Sequence, residues 1–126
     1  MKKLQRLSLV LALAMVIVSM IIISFQVQKT NVSGTWNMIV ETGQGSGNPV
    51  IVLNQINDSV ITGNYKGQFG VAPLKGIVHP GKISFQITTN DFTMEYIGTF
   101  DGTTMKGKVV FGSYGEGTFT GSKKVE

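Results

Sequence analysis

The side chains of this sequence that could do covalent chemistry are few and scattered. His79 is the single histidine and stands just before Pro80-Gly81, on the outward parity of its segment, where it reads as an exposed turn residue. One histidine does not make a zinc site, which usually takes about three or four protein ligands. Cysteine is absent, which removes disulfides, thiolate metal sites, cysteine nucleophiles and a lipidated N-terminal cysteine together. Asp58, Asp91 and Asp101 fall in turn sequences, where a short carboxylate caps backbone N–H groups. Glu41, Glu95 and Glu116 fall on outward or loop positions, so no two acids share an inward face as a general acid and base would. Gly43-Gln44-Gly45-Ser46-Gly47 lacks both the Lys-Ser/Thr ending and the following helix of a phosphate-binding loop. Ser46 within it has no strand-turn-helix setting to serve as a nucleophile. Asn31-Val32-Ser33 and Asn57-Asp58-Ser59 match the glycosylation sequon, a pattern short enough to arise by chance. The expectation is a protein that is not an enzyme and holds neither metal nor cofactor.

Charge points the same way once it is located. The formal net charge is +4, but Lys2, Lys3 and Arg6 supply three of those charges ahead of an apolar run. From Lys29 onward lysines and acids nearly balance and arginine is absent, so neither a basic face nor a bidentate fork exists for a nucleic acid. Leu7 to Phe25 is an apolar stretch whose most polar members are Ser8, Ser19 and Ser24. A basic start followed by such a stretch is the pattern of an export signal. Ala12-Leu13-Ala14 satisfies the small-x-small cleavage rule, yet cutting there leaves Met15 to Phe25 exposed. At ~1.5 Å per residue the run spans roughly 28 Å, about the hydrocarbon thickness, so residues 1–25 read equally as a signal peptide or as an uncleaved membrane anchor. Either way the remainder is expected outside the cytoplasm, with any membrane contact made through the N-terminal segment alone.

Residues 26–33 form a polar connector, and from 34 to 124 the hydrophobic period changes to two. Strand one, Thr35 to Glu41, sets Trp36, Met38 and Val40 on one face. Gly43 to Asn48 reads as the longest irregular loop, and Pro49 to Ile56 as a strand whose register is uncertain because its start is apolar on both faces. Later strands alternate cleanly: Ile61, Gly63, Tyr65; Leu74, Gly76, Val78; Ile83, Phe85, Ile87; Phe92, Met94, Tyr96, Gly98, Phe100; Met105, Gly107, Val109, Phe111; and Phe119 within Gly115 to Lys123. Turn chemistry at Asn57-Asp58, Pro80-Gly81, Asn90-Asp91, Asp101-Gly102 and Gly112 to Gly115 punctuates them. Short connections predict an all-β, eight-stranded antiparallel up-and-down meander, which hides its apolar face and its edges together by closing into a small barrel. Glycine recurs mid-strand on the inward face at 63, 76, 98 and 107, where it permits the coiling that a small barrel needs.

Gly34-Thr35-Trp36 at the entry to strand one resembles the Gly-x-Trp signature of the lipocalins and of the avidin/streptavidin group, the calycin-type barrels. The resemblance implies that Trp36 lies at the closed end of the barrel with a basic residue of the last strand across it. Lys123 has the inward parity for that role, a lysine where the family usually has arginine. Ile61-Thr62-Gly63-Asn64-Tyr65 is similar to the second strand of streptavidin, which implies Tyr65 as a ligand contact. Asn37 follows Trp36 directly and points outward, and Trp36 has no companion tryptophans, so biotin is not the expected ligand. The domain also resembles a glycine/threonine-rich barrel module of exported bacterial proteins, a likeness that implies a fold and a cellular side without an activity.

Two functions follow as expectations. In the first, the barrel binds a small hydrophobic or amphipathic ligand, with Trp36, Tyr65, Phe85, Met94 and Tyr96 as its contacts and the tyrosine hydroxyls as polar handles. In the second, side chains fill the core, and the outer face or the 43–48 loop contacts a protein partner.

Overall fold

The computed structural model describes residues 31–125, and the leader reading for residues 1–25 lies outside them, as does most of the connector. The strands are β1 (Gly34–Thr42), β2 (Gly45–Gly47), β3 (Val50–Gln55), β4 (Val60–Gly67), β5 (Gly70–His79), β6 (Lys82–Thr88), β7 (Thr93–Phe100), β8 (Thr104–Phe111) and β9 (Glu116–Lys123). A 3-10 turn, Gly112–Tyr114, joins the last two. All pairings are antiparallel: β1 pairs with β2 and with β3, each strand from β3 on pairs with the next, and β1 also pairs with β9, which closes the sheet.

β2 and β3 are one strand interrupted at Asn48-Pro49. Both lie along the same edge of β1 in an unbroken register: Trp36 faces Ile51, Val40 faces Gly47, and the Met38 amide between them donates to the Pro49 carbonyl at 3.0 Å. Counted so, the barrel has the eight strands expected. The irregular loop expected over Gly43 to Asn48 is therefore mostly a hairpin turning at Gly43-Gln44. Its tip is tied by the Thr42 hydroxyl, which donates to the Gly45 carbonyl and accepts from the Gln44 amide. The open register of β3 resolves with Ile51 and Leu53 buried and Val52 and Asn54 outside.

The registers fix the barrel's shape. Stepping across paired residues from Gly34 leads through Leu53, Gly63, Leu74, Ile87, Met94 and Phe111; extending the last two ladders returns the path to β1 at Gln44, ten residues further on. A climb of roughly 33 Å over a circumference of roughly 38 Å tilts the strands by about 40°. Such coiling brings neighbouring backbones very close at the inward glycines. A Cβ at Gly63 would strike the Val52 carbonyl, one at Gly107 the Ile97 carbonyl, and one at Gly76 the Cα of Phe85 at 2.6 Å.

Turns follow local chemistry. At Pro80-Gly81 proline sets the first turn residue and Gly81, at φ 74°, takes the left-handed position after it. Asp101 caps its turn as expected, accepting from the Thr103 and Thr104 amides at 3.1 and 2.9 Å. In the other two turns a neighbouring side chain also caps. Asn57 accepts from the Ser59 and Val60 amides, and the Thr89 hydroxyl accepts from those of Asp91 and Phe92. Pro73, which has no N–H to donate, sits where β5 is paired with β4 but not yet with β6. His79 is exposed at the end of β5.

Candidate ligand-binding cup

The two ends of the barrel differ in how they are finished. At one end the segment Asn31–Ser33 folds over the opening and buries Val32. Its backbone is held on both sides: the Val32 amide donates to the Gln55 side chain at 3.1 Å, and the Gln55 amide donates to the Ser33 hydroxyl at 2.8 Å. Trp36, fully buried, donates its indole N–H to the Val32 carbonyl at 2.9 Å, so the polar edge of the largest side chain is satisfied inside the plug. Lys123 stands opposite Trp36 on β9, and its methylene chain runs along Gly34, where a Cβ would meet Cε at 2.7 Å.

Above the plug the interior is filled. Phe85 and Tyr96 stack with ring centroids 4.9 Å apart, and Phe119 meets Tyr96 at 5.0 Å. Met38, Ile51, Leu53, Ile61 and Ile87 close the spaces between them.

At the opposite end the turns rise past the packed layers and leave a cup of about 840 Å³. Val40, Tyr65, Met94, Tyr96 and Phe111 line its inside. Its rim comes from the β1–β2 hairpin, the β4–β5 and β6–β7 turns and the 3-10 turn. Four aromatic rings gather there. Phe92 touches Phe69 edge-on at 5.0 Å and Tyr114 at 5.5 Å, and Phe111 lies 6.4 Å from Phe92. Phe69 and Tyr114 are exposed, an arrangement that leaves large apolar surface facing water at one place on the molecule.

The two buried tyrosines supply the polar handles. The Phe69 amide donates to the Tyr65 hydroxyl, which offsets part of the upward push that burial gives its pKa. Burial, and then the neighbouring Tyr65, holds Tyr96 far above the ordinary phenol range. Both hydroxyls are thus neutral at any physiological pH and serve as hydrogen-bonding groups, not as bases.

Of the residues expected to touch a ligand, Tyr65, Met94 and Tyr96 meet in the cup, whereas Phe85 lies in the filled interior behind Tyr96 and Trp36 lies at the plug. Phe69 and Tyr114 were not among those expected. They sit in turns, where alternation carries no signal, and only the apolar character of rings inside otherwise polar turn sequences marks them. Among the described residues no group of three or more His, Asp or Glu side chains is placed to hold a metal ion.

The arrangement defines a closed, eight-stranded antiparallel barrel plugged at one end and open at the other. No protein-family model and no curated protein sequence matches the chain. Among solved structures it is similar to a redesigned β-barrel bound to DFHBI, with a TM-score of 0.60 and 12% identity over 74% of this chain and 94% of that one. A de novo designed fluorescence-activating β-barrel gives a TM-score of 0.54 and 13% identity over 73% and 93% of the two chains. Fatty-acid-binding protein 1 of Echinococcus granulosus gives a TM-score of 0.48 and 11% identity over 75% and 98%. At these identities the likeness is one of fold.

Proposed function

We propose that this protein is an exported, non-enzymatic barrel that holds a small hydrophobic or amphipathic molecule in its open cup. The observation that carries this reading is the cup itself, about 840 Å³ in volume, in which Val40, Met94, Phe111 and two neutral phenols meet the polar residues of the β1–β2 hairpin and Gln68. That volume lies within the range of about 300–1,000 Å³ typical of small-molecule sites, and polar groups set beside apolar ones are the usual means of orienting a ligand. The redesigned barrel of similar fold, bound to DFHBI, supports the idea that such a barrel accommodates a small molecule. Export rests on the basic start and apolar run of residues 2–25.

The test is titration of the full chain with a neutral polarity-sensitive dye, N-phenyl-1-naphthylamine, followed by competition with fatty acids, retinoids and aromatic metabolites. Saturable binding that disappears in Thr42→Trp, which plugs the cup from its rim, supports the reading if that variant melts like the parent. Dye binding that does not saturate, or that survives Thr42→Trp unchanged, overturns it.

A second reading, a partner-binding module, is favoured by one observation. Val60, Ile77 and Ile97 are exposed on the outer face and adjoin through the registers Val60 to Ile77 and Ile77 to Ser84 to Ile97. Retained dye binding in an Ile77→Lys, Ile97→Lys double variant separates this strip from the cup.

A further inference from the structure

The lining of the cup is electrically one-sided. Its two charged lining residues are both acids: Asp91, in the β6–β7 turn, and Glu116, at the start of β9, whose side chain has the outward parity of Thr118; among the described residues no lysine, arginine or histidine lines it. Lys66, near the end of β4 by the mouth, has the parity opposite to Tyr65 and is exposed on the outer face. Lys108, outside β8, approaches Glu116 with Nζ 3.7 Å from Oε1, both side chains more than half exposed. That pair lies on the outer side of the barrel, exposed and screened, so Asp91 is the acid left at the mouth of the cup. The four rings at the rim add to the same sign, because the face of an aromatic ring is electron-rich.

An anionic headgroup entering this cup would lose water and find no cation to replace it. A cationic one would be drawn by the Asp91 carboxylate and by the rings of Phe69, Phe92, Phe111 and Tyr114. The buried phenols add no charge, since both ionise late. Taking the cup as the binding site proposed above, we propose that its ligand class is a small aromatic cation, a ring bearing a protonated or quaternary amine, rather than a fatty acid or other anionic amphiphile.

Three probes that share one ring isolate the headgroup: 1-naphthylmethyl-trimethylammonium, 1-naphthalenemethanol and 1-naphthylacetate. Each is titrated calorimetrically into the full chain at low salt. The cation is expected to bind about tenfold or more tightly than the carboxylate, the factor that one unit charge a few ångströms away supplies at intermediate dielectric. Asp91→Lys should cut that ratio about tenfold, with Asp91→Asn falling between. Both variants keep the turn, because Thr89 and not the Asp91 side chain caps it. Tyr114→Ala, at an exposed position, should weaken the cation more than the alcohol. Equal or tighter binding of the carboxylate, or a ratio unmoved by Asp91→Lys, overturns the charge assignment. Binding of the alcohol with no advantage for the cation does so too, while leaving the cup as a ligand site. Failure of all three probes to bind overturns both.

Discussion

Tyr96 is held by three aromatic neighbours at once: it stacks on Phe85, meets Phe119 and feels the phenol of Tyr65. A phenol whose folded pKa is raised stays protonated after the unfolded chain has begun to lose its proton. Stability is therefore unaffected by it below about pH 10 and declines as pH climbs past that value. Tyr65 adds to the decline in the same direction. Tyr96→Phe keeps the rings and removes the hydroxyl, so its unfolding free energy by urea titration is expected to match the parent's within about 1 kcal/mol near neutrality and to fall less between about pH 9 and about pH 11. At the other end, Trp36→Phe loses the hydrogen bond to Val32 and leaves a void in the plug, a loss of about 2–4 kcal/mol by urea unfolding. Because Trp36 is buried there, away from the cup, its emission reports unfolding and not ligand. Tyr65, Met94 and Tyr96 could be read from the sequence as inward-facing because parity along a strand fixes the face. Height along the barrel is set by the stagger between strands, which no single segment records, so Phe85 and Trp36 shared the same parity without sharing the site.

The elements show the same division between what is local and what is not. Alternation and turn residues marked β4 and β6 to β9 because each carries its own apolar face. β2 carries none: Gly45-Ser46-Gly47 becomes a strand because the backbone of β1 beyond Val40 needs a partner, and the register inherited from β3 puts these residues there. The four-residue apolar start of β3 was legible as a strand but not as a register, since only the closing ladders decide which face turns inward. The inward glycines are legible and consequential. Gly107→Ala would drive a methyl group into the backbone of β7, where Gly98 Cα lies 2.5 Å from the new atom, and is expected to destabilise by about 2 kcal/mol or more. Gly102→Ala is the control, because nothing lies within 4 Å of its Cβ, and should stay within about 0.5 kcal/mol. Thermal melts of the two variants side by side separate close backbone approach from the general effect of replacing glycine.

Closure is a property of the whole molecule. Paired from Trp36–Lys123 to Glu41–Thr118, the first and last strands are no longer edges. Their amides should resist hydrogen exchange as those of β5 and β6 do, whereas an open sheet would leave alternate amides of β1 and β9 fast. The short β2, paired only with β1, is expected to exchange first among the strands, and amide-resolved exchange measures both. Forming the β1–β9 ladder requires residues nearly the length of the described chain apart to meet, which places the barrel among slowly folding topologies.

The same ladder brings both ends of the described chain to one place. Asn31–Ser33 caps the plugged end, and the Lys124 amide donates to the Thr35 carbonyl beside it at 2.8 Å. Anything fastened to either terminus is thus fastened beneath the plug, with the rim about 20 Å away on the far side. The barrel thus has the polarity of a goblet: a tether joined at residue 31 or 125 would stand at the foot, with the bowl open on the far side.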